Sequence, residues 1–503
     1  MDFRVRILMG SCFKNLLFGA TLVLSFLPQG ASSCTTIIAG NLATVDGTIY
    51  VARNADNSPL KVPYYLFHEA STKGPTRYST RAKGGVNDFT ITLPAKTLAY
   101  SSIPNWKTKI HGAAGFNSAG VGISATETIY IKPEVLKKDP FNTRTGITED
   151  DIVDVILAQA TSAKDGVRIL GEIIKQKGAG EGFGVAFVDA REAWYLETAS
   201  GHRWMARRVP NDCYFVAANQ GRLRDFRAFD PDFAGSVDLI DWAQKEVFFK
   251  GSPEAFDFTA VFHRNDERDY RENAPRVWQA QRLLTPSKAR EWRDSRELPL
   301  FAKADRKITL ADIKRVLRDH YASTIYDPYT EGYRPQESLR PISIFDCYQS
   351  HILTVRPNLP EEVGHVTWLA LGMSALSLYV PFYQGFHDIP KAYQTGTERQ
   401  KAGSAYWLFR RIQTLAMADF AHLKPIVREV FDAFEDKTIA RMRRFEANYL
   451  KLRQNNPRKA ATELTRFNRE IIEDALSCAQ ALADKLEGLA AEAVSKRDRA
   501  LRK

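Results

Sequence analysis

Cysteine is scarce in this chain, five in 503 residues, and no two of them form a CxxC pair or repeat a spacing. Neither a disulfide framework nor a zinc site is suggested. There is no GxSxG elbow, no HExxH helix and no Walker loop, so serine-hydrolase, zinc-peptidase and nucleotide-loop chemistry lack their usual carriers. Gly178, Gly180, Gly182 and Gly184 resemble a nucleotide loop only at a glance. They precede an apolar strand run instead of following one, which predicts a helix end and a turn. Nine scattered histidines show no ligand pattern, and no cofactor or metal is expected. The formal charge of +11 comes without a zinc-finger, RNA-binding or helix-turn-helix signature, so nucleic acid is not expected as a partner. With 44% hydrophobic and 26% charged residues the chain reads as an ordinary globular enzyme rather than a disordered or polytopic protein.

What is present begins at the N-terminus. Arg4, Arg6 and Lys14 make a basic start, Leu16 to Leu27 is apolar, and Pro28-Gln29-Gly30 breaks that stretch before the small residues Ala31 and Ser33. This is the three-part composition of an export signal, and its apolar stretch is shorter than the roughly 20 residues of a membrane span. Cleavage after Ser33 is the expected outcome, giving a mature chain of net charge +9 that starts at Cys34 and has no transmembrane segment. An N-terminal cysteine carries a thiol and a free α-amine on one residue, a nucleophile together with a candidate base. Lipoproteins are also cut before a cysteine that is then acylated. Their signal prefers a large aliphatic residue three positions upstream, where this chain has Ala31. The remaining cysteines have blander readings: Cys213 begins an apolar strand run, and Cys478 lies on an apolar helical stripe.

Short runs rich in β-branched and aromatic residues follow Cys34. They are Thr35 to Ala39, Thr48 to Arg53, Val121 to Thr126, Phe183 to Val188, Ala193 to Thr198 and Cys213 to Ala218. Asp189-Ala190-Arg191 reads as a hairpin connection. Thr148-Glu149-Asp150-Asp151 and Ser162-Ala163-Lys164-Asp165 read as capping boxes, the second opening a helix through Val167, Leu170 and Ile174 that ends near Gly178. Strands flanked by helices predict an α+β architecture of layered sheets. From Leu464 the apolar positions recur at steps of three or four, an amphipathic helix expected to pack on the chain's own body, with a break at Asn455-Asn456-Pro457. The expected organisation is a signal over 1–33, a catalytic domain over 34–395 and a helical region over 396–503 packed on it.

The turn Gly40 to Gly47 separates two strand runs. Antiparallel pairing across it would return Arg53 and Asp56 to the side of Cys34. A guanidinium there favours thiolate over thiol, and a carboxylate can hold the α-amine or the arginine in register.

Cys34-Thr35-Thr36-Ile37-Ile38, with Asp46-Gly47 and Arg53-Asn54-Ala55-Asp56, resembles the start of the C69 family of dipeptidases, which are N-terminal nucleophile hydrolases. Gly115 to Thr128, Ala193 to Thr198, Gly201 to Trp204, Ala217 to Gln220, Arg340 to Ser343, Tyr379 to Tyr383 and Ser404 to Trp407 carry the resemblance through nearly all of the mature chain. It implies a four-layer αββα sandwich in which Cys34 attacks an amide carbonyl and forms a thioester that water hydrolyses. Arg53 and Asp56 would tune and orient Cys34, and Asn219 would donate to the oxyanion. Related amidases have a second asparagine where this chain has Thr126-Glu127, which leaves the second donor open. A dipeptide brings an ammonium and a carboxylate, so Glu127 is a candidate for the first and an arginine such as Arg203 for the second. His202, His351 and His365 are candidates for a Cys–His pair. The alternatives are an acylase for non-peptide amides and a lipid-anchored envelope protein acylated on Cys34. Expected partners are dipeptide substrates. The protein would be exported, periplasmic or extracellular, with a homo-oligomer left open.

Overall fold

The computed structural model describes residues 34–288, 297–330, 333 and 339–502; the expected signal peptide lies outside them. Two large antiparallel sheets dominate the fold. The first has seven strands in the order Phe301–Ala302, Tyr214–Ala217, Thr35–Ala39, Ile49–Asp56, Cys347–Val355, His365–Leu371 and Val380–Tyr383. The second has six, ordered Phe233–Gly235, Trp204–Arg208, Ala193–Thr198, Phe183–Val188, Gly122–Thr128 and Ala114–Phe116. The sheets face each other, with Ile49–Asp56 touching both Gly122–Thr128 and Phe183–Val188.

Helices cover the outer faces. Ile152–Leu157 and Ala163–Lys177 lie on the six-stranded sheet. On the seven-stranded sheet lie Ala274–Leu284, Leu310–Leu317, Ala405–Ala416 and the long Pro457–Leu501, which pairs with Phe420–Asn455. The result is the αββα sandwich. It explains why the central strands are buried at every position instead of alternating: each sheet is covered on both faces. Residues 34–395 and the helices after them belong to one compact unit, the C-terminal helices forming part of its outer layer.

Local sequence signals match local structure closely. Ser162 caps its helix by accepting from the Asp165 amide, and Gly178 ends that helix at φ +82°. Asp189 closes the predicted hairpin by accepting from the amides of Arg191 and Glu192. The Thr148 box works differently: the Asp151 carboxylate bonds back to Thr148, and the helix starts only at Ile152. Asn456 caps the last helix and separates it from its partner. Cys213 precedes its strand instead of entering it, and Cys478 is half-buried at the edge of the core. No described helix is long and apolar enough to cross a membrane.

Candidate active site

Thr35–Ala39 and Ile49–Asp56 pair antiparallel, with Thr35 opposite Asn54 and Thr36 opposite Arg53. The reversal between them uses Gly47 at φ +75°, where a side chain would be strained. Opposed residues in such a pair share a face of the sheet. Thr36 and Arg53 therefore project together toward the six-stranded sheet, and both reach Glu127: the Thr36 hydroxyl donates to Oε1 at 2.6 Å, and Arg53 Nε lies 3.7 Å from the same oxygen. Cys34, two residues before Thr36, shares that face.

Arg53 is the hub. Its Nη2 donates to Cys34 Sγ at 2.8 Å and to the Thr126 carbonyl at 2.5 Å, while Nη1 donates to the Ala125 carbonyl at 2.8 Å. The register of Gly122–Thr128 against its neighbour shifts between Ala125 and Glu127, where these carbonyls meet the guanidinium. Arg53 is 3% exposed and Cys34 1%.

The opposite face of the same two strands carries a second arginine. Arg276, fully buried on the helix Ala274–Leu284, donates to the Cys34 carbonyl, to Thr35 Oγ1 at 3.0 Å, to Asn273 Oδ1 at 2.6 Å and to Asn219 Oδ1 at 3.0 Å. A guanidinium only donates, so it fixes the orientation of the Asn219 amide: the oxygen faces Arg276 and Nδ2 faces away. Asn219 Nδ2 is buried and has no hydrogen-bond partner among the described residues. A buried donor without an acceptor costs on the order of 1–3 kcal/mol. Asp56 is buried nearby, receiving Arg340 Nη2 at 3.1 Å and touching the Cys347 thiol.

The electrostatics of the sulfur differ from the sequence expectation. Burial pushes the Cys34 thiol up and outweighs Arg53, which pulls it down; Glu127 and Asp56 push it up further. Burial thus favours the protonated sulfur over the thiolate. Burial also raises Glu127 to about 7, against the pull of Arg53 and Thr36.

Arg203 is engaged elsewhere. Its Nη1 and Nη2 bond Asp139 and Asp238 at 3.2 and 2.6 Å, and its guanidinium lies over Trp242. The histidines are likewise occupied: His202 by Asp139, His351 by Ser124 and Gln349, and His365 stacked on Phe116. Arg276 and Arg340 are the residues that sequence reasoning missed. Arg276 lies 242 residues from Cys34, on a helix where nothing in the pattern marks a buried arginine, whereas Arg340 stands in a quoted motif. Among the described residues no group of three His, Cys, Asp or Glu side chains could hold a metal ion.

A cysteine at the head of a central strand, in a sandwich of two antiparallel sheets between helical layers, with an arginine on its sulfur, defines an N-terminal nucleophile hydrolase fold. The chain belongs to peptidase family C69, whose sequence model matches residues 33–432. It is 43% identical over 396 residues to a probable dipeptidase of Salmonella dublin, covering 78% of this chain and 88% of that one. It is 36% identical over 417 residues to the probable dipeptidase B of Lactococcus lactis subsp. lactis (strain IL1403), covering 81% and 85%. A solved structure of penicillin V acylase from Agrobacterium tumefaciens aligns over 70% of this chain and 87% of that chain, at 11% identity and a TM-score of 0.33.

Proposed function

We propose that the protein is an exported dipeptidase whose nucleophile, Cys34, becomes N-terminal when residues 1–33 are removed. The observation that carries this reading is the convergence on one residue of Arg53 at the sulfur and, across the strand, the Arg276–Asn219 pair that leaves an amide donor unused. The dipeptidases among its relatives supply the substrate class.

The chemistry follows from the groups present. The α-amine of Cys34 takes the thiol proton while the sulfur attacks the scissile carbonyl carbon. The carbonyl π electrons move to oxygen, and Asn219 Nδ2 donates to the oxyanion. Collapse of the tetrahedral species breaks the C–N bond, and the departing amine carries away the proton held by the α-amine. Water, deprotonated by the same amine, then attacks the thioester, and Cys34 recovers its proton as the first amino acid leaves. Arg53 steadies the sulfur as it gains negative charge, and Asp56 orients the Cys34 end of the strand. Glu127 receives the substrate ammonium, which stabilises its ionised form at the pH where burial would otherwise protonate it.

The test is intact mass and N-terminal sequencing of the protein from its native compartment, combined with dipeptide hydrolysis. An unmodified chain beginning at Cys34, active on dipeptides and inactive as Cys34→Ala, is expected. A start elsewhere, an acyl mass on Cys34, or turnover by Cys34→Ala overturns the reading.

A further inference from the structure

On the Arg53 side of Cys34 lies a group of charges that the chemistry above does not use. Thr126, whose carbonyl receives Arg53, turns its hydroxyl to Glu149 Oε2 at 2.9 Å. Glu149 Oε1 and Asp150 Oδ1 lie 3.3 and 3.1 Å from His111 Nδ1, and His111 Nε2 lies 2.7 Å from Lys61 Nζ. An ammonium has no lone pair, so Nε2 must accept and Nδ1 must carry the hydrogen that the carboxylates accept. Toward a charged Lys61 the ring is thus an acceptor at Nε2, and its orientation is fixed from both sides. It is held by a backbone in the left-handed region at His111, φ +66°, pinned by the bond from the His111 amide to the Asp150 carbonyl. Non-glycine residues in that region are sparse and gather at functional sites.

Lys61 follows the strand that carries Arg53 and Asp56. It is half-buried, and its ammonium stands 4.7 Å from the centre of the Tyr348 ring. Among the described residues no carboxylate oxygen comes within 4.0 Å of Nζ, although Glu149 and Asp150 are close enough to bind the histidine that holds it. Burial pulls its pKa down, opposed by the charges of Glu149 and Cys34. A partly desolvated cation with one ring-nitrogen acceptor and an aromatic face has N–H groups to spare, and its nearest carboxylates, Glu149 and Asp150, act on it without bonding it. It lies within electrostatic reach of the nucleophile. The C-terminal carboxylate of a bound dipeptide is separated from the scissile carbon by only the amide nitrogen and one α-carbon.

We propose that Lys61, oriented by His111, receives the substrate's terminal carboxylate and sets the preference for a free C-terminus. This rests on the dipeptidase reading and deepens it, supplying the cationic end that Arg203 does not. Glu149 and Asp150 act through His111 as positioning residues.

The experiment compares kcat/KM for alanyl-alanine and its C-terminal amide in the wild type, Lys61→Met and Lys61→Arg. Loss of one partner of a desolvated charge pair predicts that the wild type favours the acid by about 100-fold and that Lys61→Met brings the ratio close to one, mostly through KM. Lys61→Arg restores part of the preference. Amide hydrolysis reports in the same assay that each variant is folded. An equal loss on both substrates in Lys61→Met, or a wild type indifferent to the C-terminal charge, overturns the proposal while leaving a working peptidase. A wild type that cleaves neither substrate removes the dipeptidase reading itself, and the proposal with it.

Discussion

Glu127 and Glu435 are both buried carboxylates, 1% and 4% exposed, yet they are displaced in opposite directions. Glu435, on the helix Phe420–Asn455, receives Lys314 Nζ at 3.0 Å, Arg318 Nη2 at 2.5 Å and the Tyr379 amide at 2.8 Å. These partners more than offset burial and hold its carboxyl down to about 2. Glu127 has the Thr36 hydroxyl and a more distant arginine on one oxygen, while its Oε2 has no partner among the described residues. Burial prevails, and the carboxyl rises to about 7. Where the fold supplies every partner, a buried charge fastens one helix to another. Where it leaves partners out, beside Cys34, the function proposed above assigns the missing ones to the substrate.

The largest expected effect tests the fastened side. Glu435→Gln leaves Lys314 without its counter-charge and Arg318 with Asp432 alone, and should lower unfolding free energy by about 3–5 kcal/mol, measured by denaturant titration at pH 7. The pH sign follows from the lowered pKa. The Glu435 contribution is fully present above about 4.5 and is lost as pH falls toward about 2. The wild type should therefore weaken through that window more steeply than the variant. Equal slopes would break the contrast with Glu127.

The next effect tests the unfastened side. Asn219→Ala removes the donor that has no internal acceptor. It should cost roughly 10² to 10³ in kcat, about 3–4 kcal/mol of transition-state stabilisation, with little change in KM. A loss confined to KM would place Asn219 in ground-state binding and deny it the oxyanion.

Much of this was legible in the sequence, and the division has a physical basis. Cys34, Arg53 and Asp56 lie within one hairpin, where turn chemistry and period-two pairing fix the register locally; Thr36 opposite Arg53 is its direct consequence. The helix over Ala163–Lys177 and the break at Asn456 were readable because caps act through neighbouring residues. Arg276, Arg340 and Lys61 were not singled out, since their roles depend on burial and on strands and helices distant in sequence. Arg203 shows the converse: a motif position suggested a binding role, but two aspartates and Trp242 occupy it. The thiol's upward displacement was illegible for the same reason, because desolvation belongs to the assembled sandwich and not to the hairpin.

The smallest effect sharpens the comparison most. With its pKa raised to about 7 in the fold against an ordinary 4.5, Glu127 contributes stability that is fully present below about 4.5 and lost as pH rises through about 7. Glu127→Gln keeps an acceptor for Thr36 without a charge to desolvate. It should therefore match the wild type near pH 4 and exceed it by about 1–3 kcal/mol at pH 8, read from paired denaturant curves. The same variant should lose the preference for a free substrate amino terminus, because the carboxylate that the ammonium stabilises is gone. A gain in stability at pH 8 together with that loss would identify Glu127 as a charge kept at the fold's expense for its ligand. No gain at pH 8 would mean that Arg53 already neutralises it, placing Glu127 with Glu435 among the structural pairs.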